Sequence, residues 1–210
     1  MAKIKAFIQS LQEQPHSNML FNPYIDTDLA NNLECYLRMM RGQKSRKILL
    51  VGEAPGYLGC RLTGIPFSSC HVIRHSAHPF LKRLHKRVKL QSETKENSAS
   101  AVWQYLLDLS LSEKEIVPLF WNAFPYHPHK SKETKTNRKP SSAEIRMGVP
   151  FLKALADIYK VEKIASLGKS GLQAAQLAFP SAKIKYIRHP SYGGKKDFIN
   201  HTNEFLKQSK

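Results

Sequence analysis

Apolar residues along the chain form short runs that are separated by longer stretches with helical spacing. Four short runs rich in strand-forming residues predict β-strands over 47–51, 117–121, 163–167 and 183–187. Between them, apolar residues recur every three or four positions, which is the period of an amphipathic helix. This spacing predicts helices over 29–37, 80–88, 102–109, 145–158 and 171–177.

The order of these elements predicts the fold class. Strands that alternate with helices favour a parallel sheet with helices on both faces. We therefore predict one domain over residues 1–210, a three-layer α/β/α sandwich around a central, mainly parallel four-stranded sheet, with residues 1–45 as an N-terminal helical cap. Ligands bind such sheets at the carboxyl ends of the strands, so the loops after the strands are the candidate site.

Two polar segments predict where helices begin. Asn97 and Ser98 precede one apolar helical pattern, and Ser141 precedes another. Glu144 lies three residues after Ser141, which is the spacing of a capping box. The polar stretch 131–140 predicts a mobile loop.

The charge of the chain points to a polyanionic partner. The sequence has 33 Lys and Arg against 16 Asp and Glu, a formal net charge of +17. Acidic residues are absent between Glu53 and Glu93 and again between Glu162 and Asp197. Solvated surfaces usually mix both signs, so this distribution favours nucleic acid over the alternative of an ordinary lysine-rich surface.

Cysteine usage and hydropathy suggest a reduced compartment. The three cysteines, Cys35, Cys60 and Cys70, show no CxxC spacing, so we expect neither a disulfide framework nor a four-cysteine metal site. The N-terminus has no secretory signal pattern, and no apolar run approaches the roughly 18 residues of a membrane helix. We expect a cytoplasmic protein without a metal or cofactor, since His127 and His129 have no third ligand.

Motifs follow three of the predicted strands. The loop after the first strand reads GEAPG over 52–56 and ends in TGIPF over 63–67, while WNAFPYHP covers 121–128 and RHPS covers 188–191. These motifs resemble the uracil-DNA glycosylase superfamily, nearest the family 4 and 5 pattern but without the iron–sulfur cysteines. The resemblance extends from residue 47 to about residue 205.

The resemblance implies a base-excision repair enzyme. Such a DNA glycosylase hydrolyses the N-glycosidic bond of a flipped-out deoxyuridine, releases uracil and leaves an abasic site, without lyase activity or cofactor. Phe67 would stack on the base, and His189 would donate a hydrogen bond to uracil O2. Asn122 would read the uracil edge, because one carboxamide offers both a donor and an acceptor.

A further carboxylate is expected in the site. Glu53 would stabilise the sugar cation or position water, since Ala54 stands where family 1 has its catalytic aspartate. The alternative is a structural salt bridge from Glu53 to Arg61 or Arg74. The implied catalytic residues are Glu53, Asn122 and His189, and the implied base-binding residues are Gly52, Ala54, Tyr57, Phe67 and Asn122.

Basic and polar loop residues are the expected DNA contacts. They are Arg61, Lys130, Asn137, Arg138, Arg188, Ser191, Tyr192 and Lys195. Asn137 and Arg138 would form a phosphate clamp, and Tyr192 lies where family 1 places an intercalating leucine. The expected partner is uracil-containing DNA, single- or double-stranded, bound by a monomer without membrane association.

Two alternatives remain open from the sequence. The chain differs from the best-studied pattern at Ala54, Gly56 and Gly193, which would fit a weak or inactive member that only binds DNA. An unrelated Rossmann-like enzyme would instead hold a phosphate-bearing small molecule in the GEAPG loop. DNA binding that weakens steeply with salt would separate the first alternative from the second. The sequence also leaves open the preference among uracil, thymine, hypoxanthine and xanthine.

Overall fold

The structure is a computed structural model that describes residues 2–112, 115–191 and 193–207. Its strands are β1 (Leu20–Phe21), β2 (Ile48–Gly52), β3 (Leu119–Asn122), β4 (His127–Pro128), β5 (Lys163–Leu167) and β6 (Ile184–Ile187). Its α-helices are α1 (Ala2–Gln12), α2 (Thr27–Met40), α3 (Cys60–Thr63), α4 (Cys70–His75), α5 (Pro79–His85), α6 (Asn97–Ser112), α7 (Ser142–Tyr159), α8 (Lys169–Ala178) and α9 (Lys195–Lys207). Short 3₁₀ helices cover Pro23–Ile25 and Lys44–Lys47.

The central sheet has four strands in the order β3-β2-β5-β6, and all neighbouring pairs are parallel. Each predicted strand lies within two residues of an observed one, and the predicted fold class is confirmed. Gly52 lies opposite Asn122, and Leu167 lies opposite Ile187. The carboxyl ends of the strands therefore share one edge of the sheet.

The helices form layers on both faces of this sheet. The chain moves one way from β2 to β3 and the opposite way from β3 to β5 and β6, so right-handed crossovers put the connecting helices on opposite faces. Helices α7 and α8 pack together against the sheet. On the other face, Tyr105 of α6 meets Phe198 of α9, with ring centroids 5.4 Å apart.

The N-terminal segment packs on the same core as the sheet. Phe7 of α1 lies against Trp121 of β3, with ring centroids 5.2 Å apart. Buried apolar residues from Ile4 to Leu206 form one continuous cluster. Besides helices, this segment contains β1, which pairs antiparallel with β4 in a small second sheet that the hydrophobic pattern did not indicate. None of the described helices combines the length and apolar character of a membrane span.

The start of α7 has the capping hydrogen bonds predicted from the sequence, whereas the start of α6 is capped by a residue that was not predicted. At α7, Ser141 and Glu144 form the expected capping box. At α6, the carboxylate of Glu96 accepts the N–H groups of Ser98 and Ala99 at 3.0 and 2.8 Å. Glu96 is therefore fixed at the helix start, close to the carboxyl edge of the sheet.

The loop over 131–140, predicted to be mobile, has several attachments in the structure. The carbonyl of Thr134 lies 3.1 Å from His127 Nε2, and Asn137 Oδ1 accepts the N–H of Tyr57 at 2.9 Å. Arg138 pairs with Glu144 at the start of α7. This loop is thus tied to the GEAPG loop.

Candidate active site

The ends of β2 and β3 bring Gly52, Phe67 and Asn122 together. A Cβ added to Gly52 would lie 2.3 Å from Cζ of Phe67 and 3.1 Å from Oδ1 of Asn122. No side chain larger than hydrogen fits there, so Gly52 allows the phenyl ring to lie against the strand end. Gly52 therefore acts by supporting the ring.

Phe67 has an unusual backbone conformation. Its φ of 54° lies in the left-handed region, which costs a bulky residue about 1–3 kcal/mol. Its carbonyl accepts a hydrogen bond from Trp103 Nε1 at 2.8 Å, and its ring centroid lies 5.0 Å from that of Phe120. These contacts hold the half-buried ring at the cavity wall.

The carboxamide of Asn122 is buried but has no internal partner. The residue is 4% exposed and lines the cavity. Its side chain makes no hydrogen bond with any residue in the described ranges, although most buried amides are paired. Its polar atoms are not among the fully enclosed unpaired atoms of the described residues, so the amide faces the cavity and can bind a ligand that brings its own donor and acceptor.

His189 follows β6 and presents one ring nitrogen to the cavity. Nδ1 accepts the N–H of Ser191 at 3.3 Å, so the neutral ring carries its proton on Nε2. Burial lowers the pKa of His189 below its ordinary value of 6.5, and the nearby carboxylates of Glu96 and Glu53 raise it in part. The imidazole is therefore neutral at pH 7 and offers Nε2–H as a donor.

Two carboxylates, those of Glu53 and Glu96, line the cavity. Exposed Glu53 accepts a hydrogen bond from Ser170 Oγ at 2.6 Å, next to the start of α8. No ion pair of the described residues includes Glu53: Arg74 pairs with Glu93, and the guanidinium of Arg61 lies 4.6 Å from the centre of the Phe21 ring. The alternative of a structural salt bridge from Glu53 to Arg61 or Arg74 is therefore wrong.

The cavity unites the loops that the sequence singled out. Its volume is about 640 Å³. The predicted site residues that line it are Glu53, Ala54, Tyr57, Phe67, Asn122, Asn137, Arg138, His189 and Ser191. Sequence reasoning missed Glu96, which also lines the cavity; its one signal was its position just before Asn97 and Ser98, where a helix cap is expected.

Arg138 forms hydrogen bonds within the protein and does not have the free donors expected of a phosphate clamp. Its guanidinium donates to both oxygens of Glu144, at 2.7 and 2.9 Å. The remaining bonds go to backbone carbonyls, namely those of Met19, His129 and Lys139. Because its donors are already engaged, Arg138 fastens the 131–140 loop to α7, and Asn137 instead holds the backbone of Tyr57.

The other expected DNA contacts are spread over the molecule. Arg61 is half-buried over Phe21, and exposed Arg188 pairs with Asp197 at 2.7 Å. Lys130 and Lys195 are exposed outside the cavity lining. Tyr192 lies outside the residues that the structure describes.

His127, one of the two histidines considered as metal ligands, is engaged in the fold through both ring nitrogens. His127 Nδ1 lies 2.7 Å from the carbonyl of Pro55, and its Nε2 lies 3.1 Å from that of Thr134. Burial lowers the pKa of His127, while the carbonyls raise it in part. Both ring nitrogens lie against carbonyl oxygens, so His127 joins two loops and neither nitrogen is open to a metal ion.

Comparison with known proteins identifies the family of the chain. The family model described as Uracil DNA glycosylase superfamily matches residues 39–207, most of the chain. The chain belongs to this superfamily. The resemblance seen in the motifs is thereby confirmed, and membership supports a glycosylase-like hydrolase that acts on DNA.

A solved structure shares the fold. The crystal structure of wild-type SMUG2 from Pedobacter heparinus superposes with a TM-score of 0.68 at 15% sequence identity, and the match covers 99% of this chain and 97% of that chain. No curated protein sequence matches the chain. At 15% identity this likeness supports the fold alone. The chemistry of this chain is therefore argued from its own residues.

Proposed function

We propose that the protein is a monofunctional uracil-DNA glycosylase of base-excision repair. The observation that carries this proposal is the meeting of Phe67, Asn122 and His189 in one cavity. Neither the Asn122 amide nor His189 Nε2 has a hydrogen-bond partner among the described residues. A flat aromatic wall beside two free polar groups is what recognition of a flipped-out base requires.

Binding of the base divides between stacking and edge recognition. Flipping a nucleotide costs a few kcal/mol, and stacking on an aromatic ring returns about 1–3 kcal/mol. We assign the stacking to Phe67. The Asn122 oxygen accepts the N3–H of uracil and its NH₂ donates to O4, whereas cytosine presents the opposite pattern on that edge.

Bond cleavage leaves negative charge on the departing base. The C1′–N1 electron pair moves to uracil N1 and is shared with O2, where His189 Nε2–H donates a hydrogen bond. A preorganised donor of this kind contributes about 2.7–4 kcal/mol of transition-state stabilisation. Because burial lowers the pKa of His189, the imidazole stays neutral and donates a hydrogen bond without transferring its proton.

The sugar cation then needs a nearby anion and a water molecule. Ser170 donates to Oε2 of Glu53 and leaves Oε1 available to orient water toward C1′. Ala54 cannot do this, since it has no polar side chain. Both carboxylate oxygens of Glu96 accept hydrogen bonds from Ser98 and Ala99 at the start of α6. We therefore propose that Glu96 stabilises the sugar cation only through its negative charge. Water adds its hydroxyl to C1′ and releases its proton through Glu53 to solvent.

DNA binding in this proposal rests on basic and polar residues of the segments that follow the strands. We retain Lys130, Ser191, Lys195 and Asn137 as phosphate contacts, with Arg188 released from Asp197. Arg61 and Arg138 are better explained by their internal contacts. Free Cys35, Cys60 and Cys70 support a reduced, cytoplasmic setting, and we propose a single-domain monomer that accepts single- or double-stranded DNA.

An excision assay tests the proposed function. In EDTA, the purified protein should convert a uracil-containing oligonucleotide to an alkali-labile abasic product. Parallel substrates with thymine, hypoxanthine or xanthine define the base preference. His189→Ala should lower the single-turnover rate about 10²–10³-fold while DNA affinity stays nearly constant. DNA binding without product would favour the alternative of an inactive member that only binds DNA. Equal excision rates for the unchanged protein and His189→Ala would remove His189 from the mechanism.

A further inference from the structure

A second cluster of metal-ligating side chains lies outside the cavity. His71 and His75 are on α4, and Glu93 is on the segment before α6. One ligand atom from each side chain lies within 4.8 Å of the other two. His71 is half-buried, and the other two residues are exposed.

The spacing within the cluster suits a transition-metal ion. His71 and His75 are four residues apart on one helix face, with ring centroids 4.6 Å apart. His75 Nε2 lies 3.4 Å from Glu93 Oε2. Metal–ligand bonds of about 2.0–2.2 Å in tetrahedral geometry separate neighbouring ligand atoms by about 3.3–3.6 Å. One ligand pair already has this separation, and the His71 nitrogen lies within 4.8 Å of both other ligand atoms.

Hydrogen bonds hold Glu93 in place beside the imidazoles. The guanidinium of Arg74 donates to Glu93 Oε1 and, at 2.7 Å each, to the carbonyls of Ser92 and Leu90. The backbone N–H of His71 donates to the carbonyl of Thr94 at 3.0 Å. Arg74 thus orients the carboxylate so that Oε2 faces His75, which is how outer partners position metal ligands.

We propose that His71, His75 and Glu93 bind one divalent transition-metal ion of the zinc type, with water completing the coordination. Two imidazoles and one carboxylate form a ligand set that Zn²⁺ accepts. The nearby Arg74 charge opposes the ion and limits its affinity, but the same residue preorganises the carboxylate. This inference does not depend on the proposed glycosylase activity.

The bound ion would fasten a segment that reaches the cavity. Glu93 is followed closely by Lys95 and Glu96, and both line the cavity. A metal that joins α4 to this segment would stabilise the folded state, because it binds ligands that are brought together only by folding. The expected part of the ion is structural, which is compatible with base excision in EDTA.

Zinc titration of the full chain tests the site. The tag-free protein is stripped with chelator and titrated with Zn²⁺ against a chromophoric chelator, and its thermal midpoint is measured with and without Zn²⁺. We expect one ion per chain and a higher midpoint with zinc. His75→Ala and Glu93→Gln should each weaken binding by about tenfold or more and abolish the increase in midpoint.

The control is His85→Ala, which removes another exposed histidine that lies outside the cluster. Its zinc affinity should equal that of the unchanged protein. Because His75, Glu93 and His85 are all exposed, none of these substitutions disturbs the core. Absence of stoichiometric zinc binding, or His75→Ala binding zinc as tightly as His85→Ala, would overturn the proposal.

Discussion

The N-terminal segment and the cavity each bury an asparagine, and the two side chains are treated in opposite ways. Asn22 is 0% exposed, and its amide donates to the carbonyls of Leu11 and Gln14 at 2.7 Å and accepts the N–H of Tyr24 at 2.9 Å. Asn122 is 4% exposed and pairs with none of the described residues. A buried amide with all its partners supports the fold, whereas one without partners is available for a ligand.

Two histidines differ in another way: each is bonded through Nδ1, and the difference lies in what surrounds Nε2, which in His78 is enclosed in the core without a partner. His78 is fully buried at the start of α5, where Nδ1 accepts the N–H of Phe80 at 3.2 Å. His189 is bonded in the same manner, through Nδ1, but lies at the cavity edge with Nε2 facing open space. The first ring caps a helix, and the second presents a donor to whatever enters the cavity.

The largest effect should come from exchanging the two asparagines for alanine. Asn122→Ala should lower the single-turnover excision rate about 10²–10³-fold, since it removes both bonds to the uracil edge. Its free energy of unfolding should stay nearly constant, because the removed amide makes no hydrogen bond with the described residues. Urea unfolding and excision assays on the same samples measure both quantities.

Asn22→Ala is the matched control for that comparison. It leaves the buried backbone groups of Leu11 and Tyr24 and the half-buried carbonyl of Gln14 without the Asn22 partner, and should lower the free energy of unfolding by about 1–3 kcal/mol. Excision by the folded protein should change little. If Asn122→Ala lowered stability and Asn22→Ala lowered the excision rate, the assignment of the two amides would be reversed.

Acid should act on stability through His78 and on activity through His189. Burial lowers the pKa of His78 to about 4, so the unfolded chain takes up a proton below pH 6.5 before the native state does. Stability is therefore full above pH 6.5 and is lost as the pH falls toward 4, by up to about 3 kcal/mol. His78→Asn keeps a capping acceptor and should flatten this dependence in urea unfolding.

The excision rate should fall on the acid side for a different reason. The pKa of His189 is also lowered by burial, and its neutral form is the donor in the proposed mechanism. The rate should be constant above pH 6.5 and fall as the pH drops through the pKa of His189. His189→Gln should lack that acid limb, while His78→Asn should keep it at pH values where the protein is folded.

The smallest effect should come from single cations. Lys195→Ala should weaken DNA binding a few-fold and reduce the slope of log affinity against log salt by about 1, with unchanged stability. Arg138→Met should leave that slope unchanged and lower the free energy of unfolding, because Glu144 loses its partner. Fluorescence anisotropy at several salt concentrations separates the two, and a reduced slope in Arg138→Met would restore its expected phosphate contact.

Local sequence signals predicted much of the scaffold. The β-rich runs located the four strands of the sheet, and Ser141 with Glu144 marked the start of α7. Helix α9 was not predicted, and the short strands β1 and β4 lack a hydrophobic period long enough to recognise. The hydrogen bonds of Arg138 within the protein were also not predicted, because its partners come from separate segments of the chain.

The sequence by itself determined that the motif loops share one edge of the sheet. Parallel strands joined by right-handed crossovers have all their carboxyl ends on the same side, whatever the details of packing. Only the tertiary structure decided which polar groups at that edge remain free. Asn32 is buried like Asn122, but its amide bonds to Thr63 and Lys89, 31 and 57 positions away in the chain. Partners at such separations are selected by packing, and packing leaves the Asn122 amide facing the cavity.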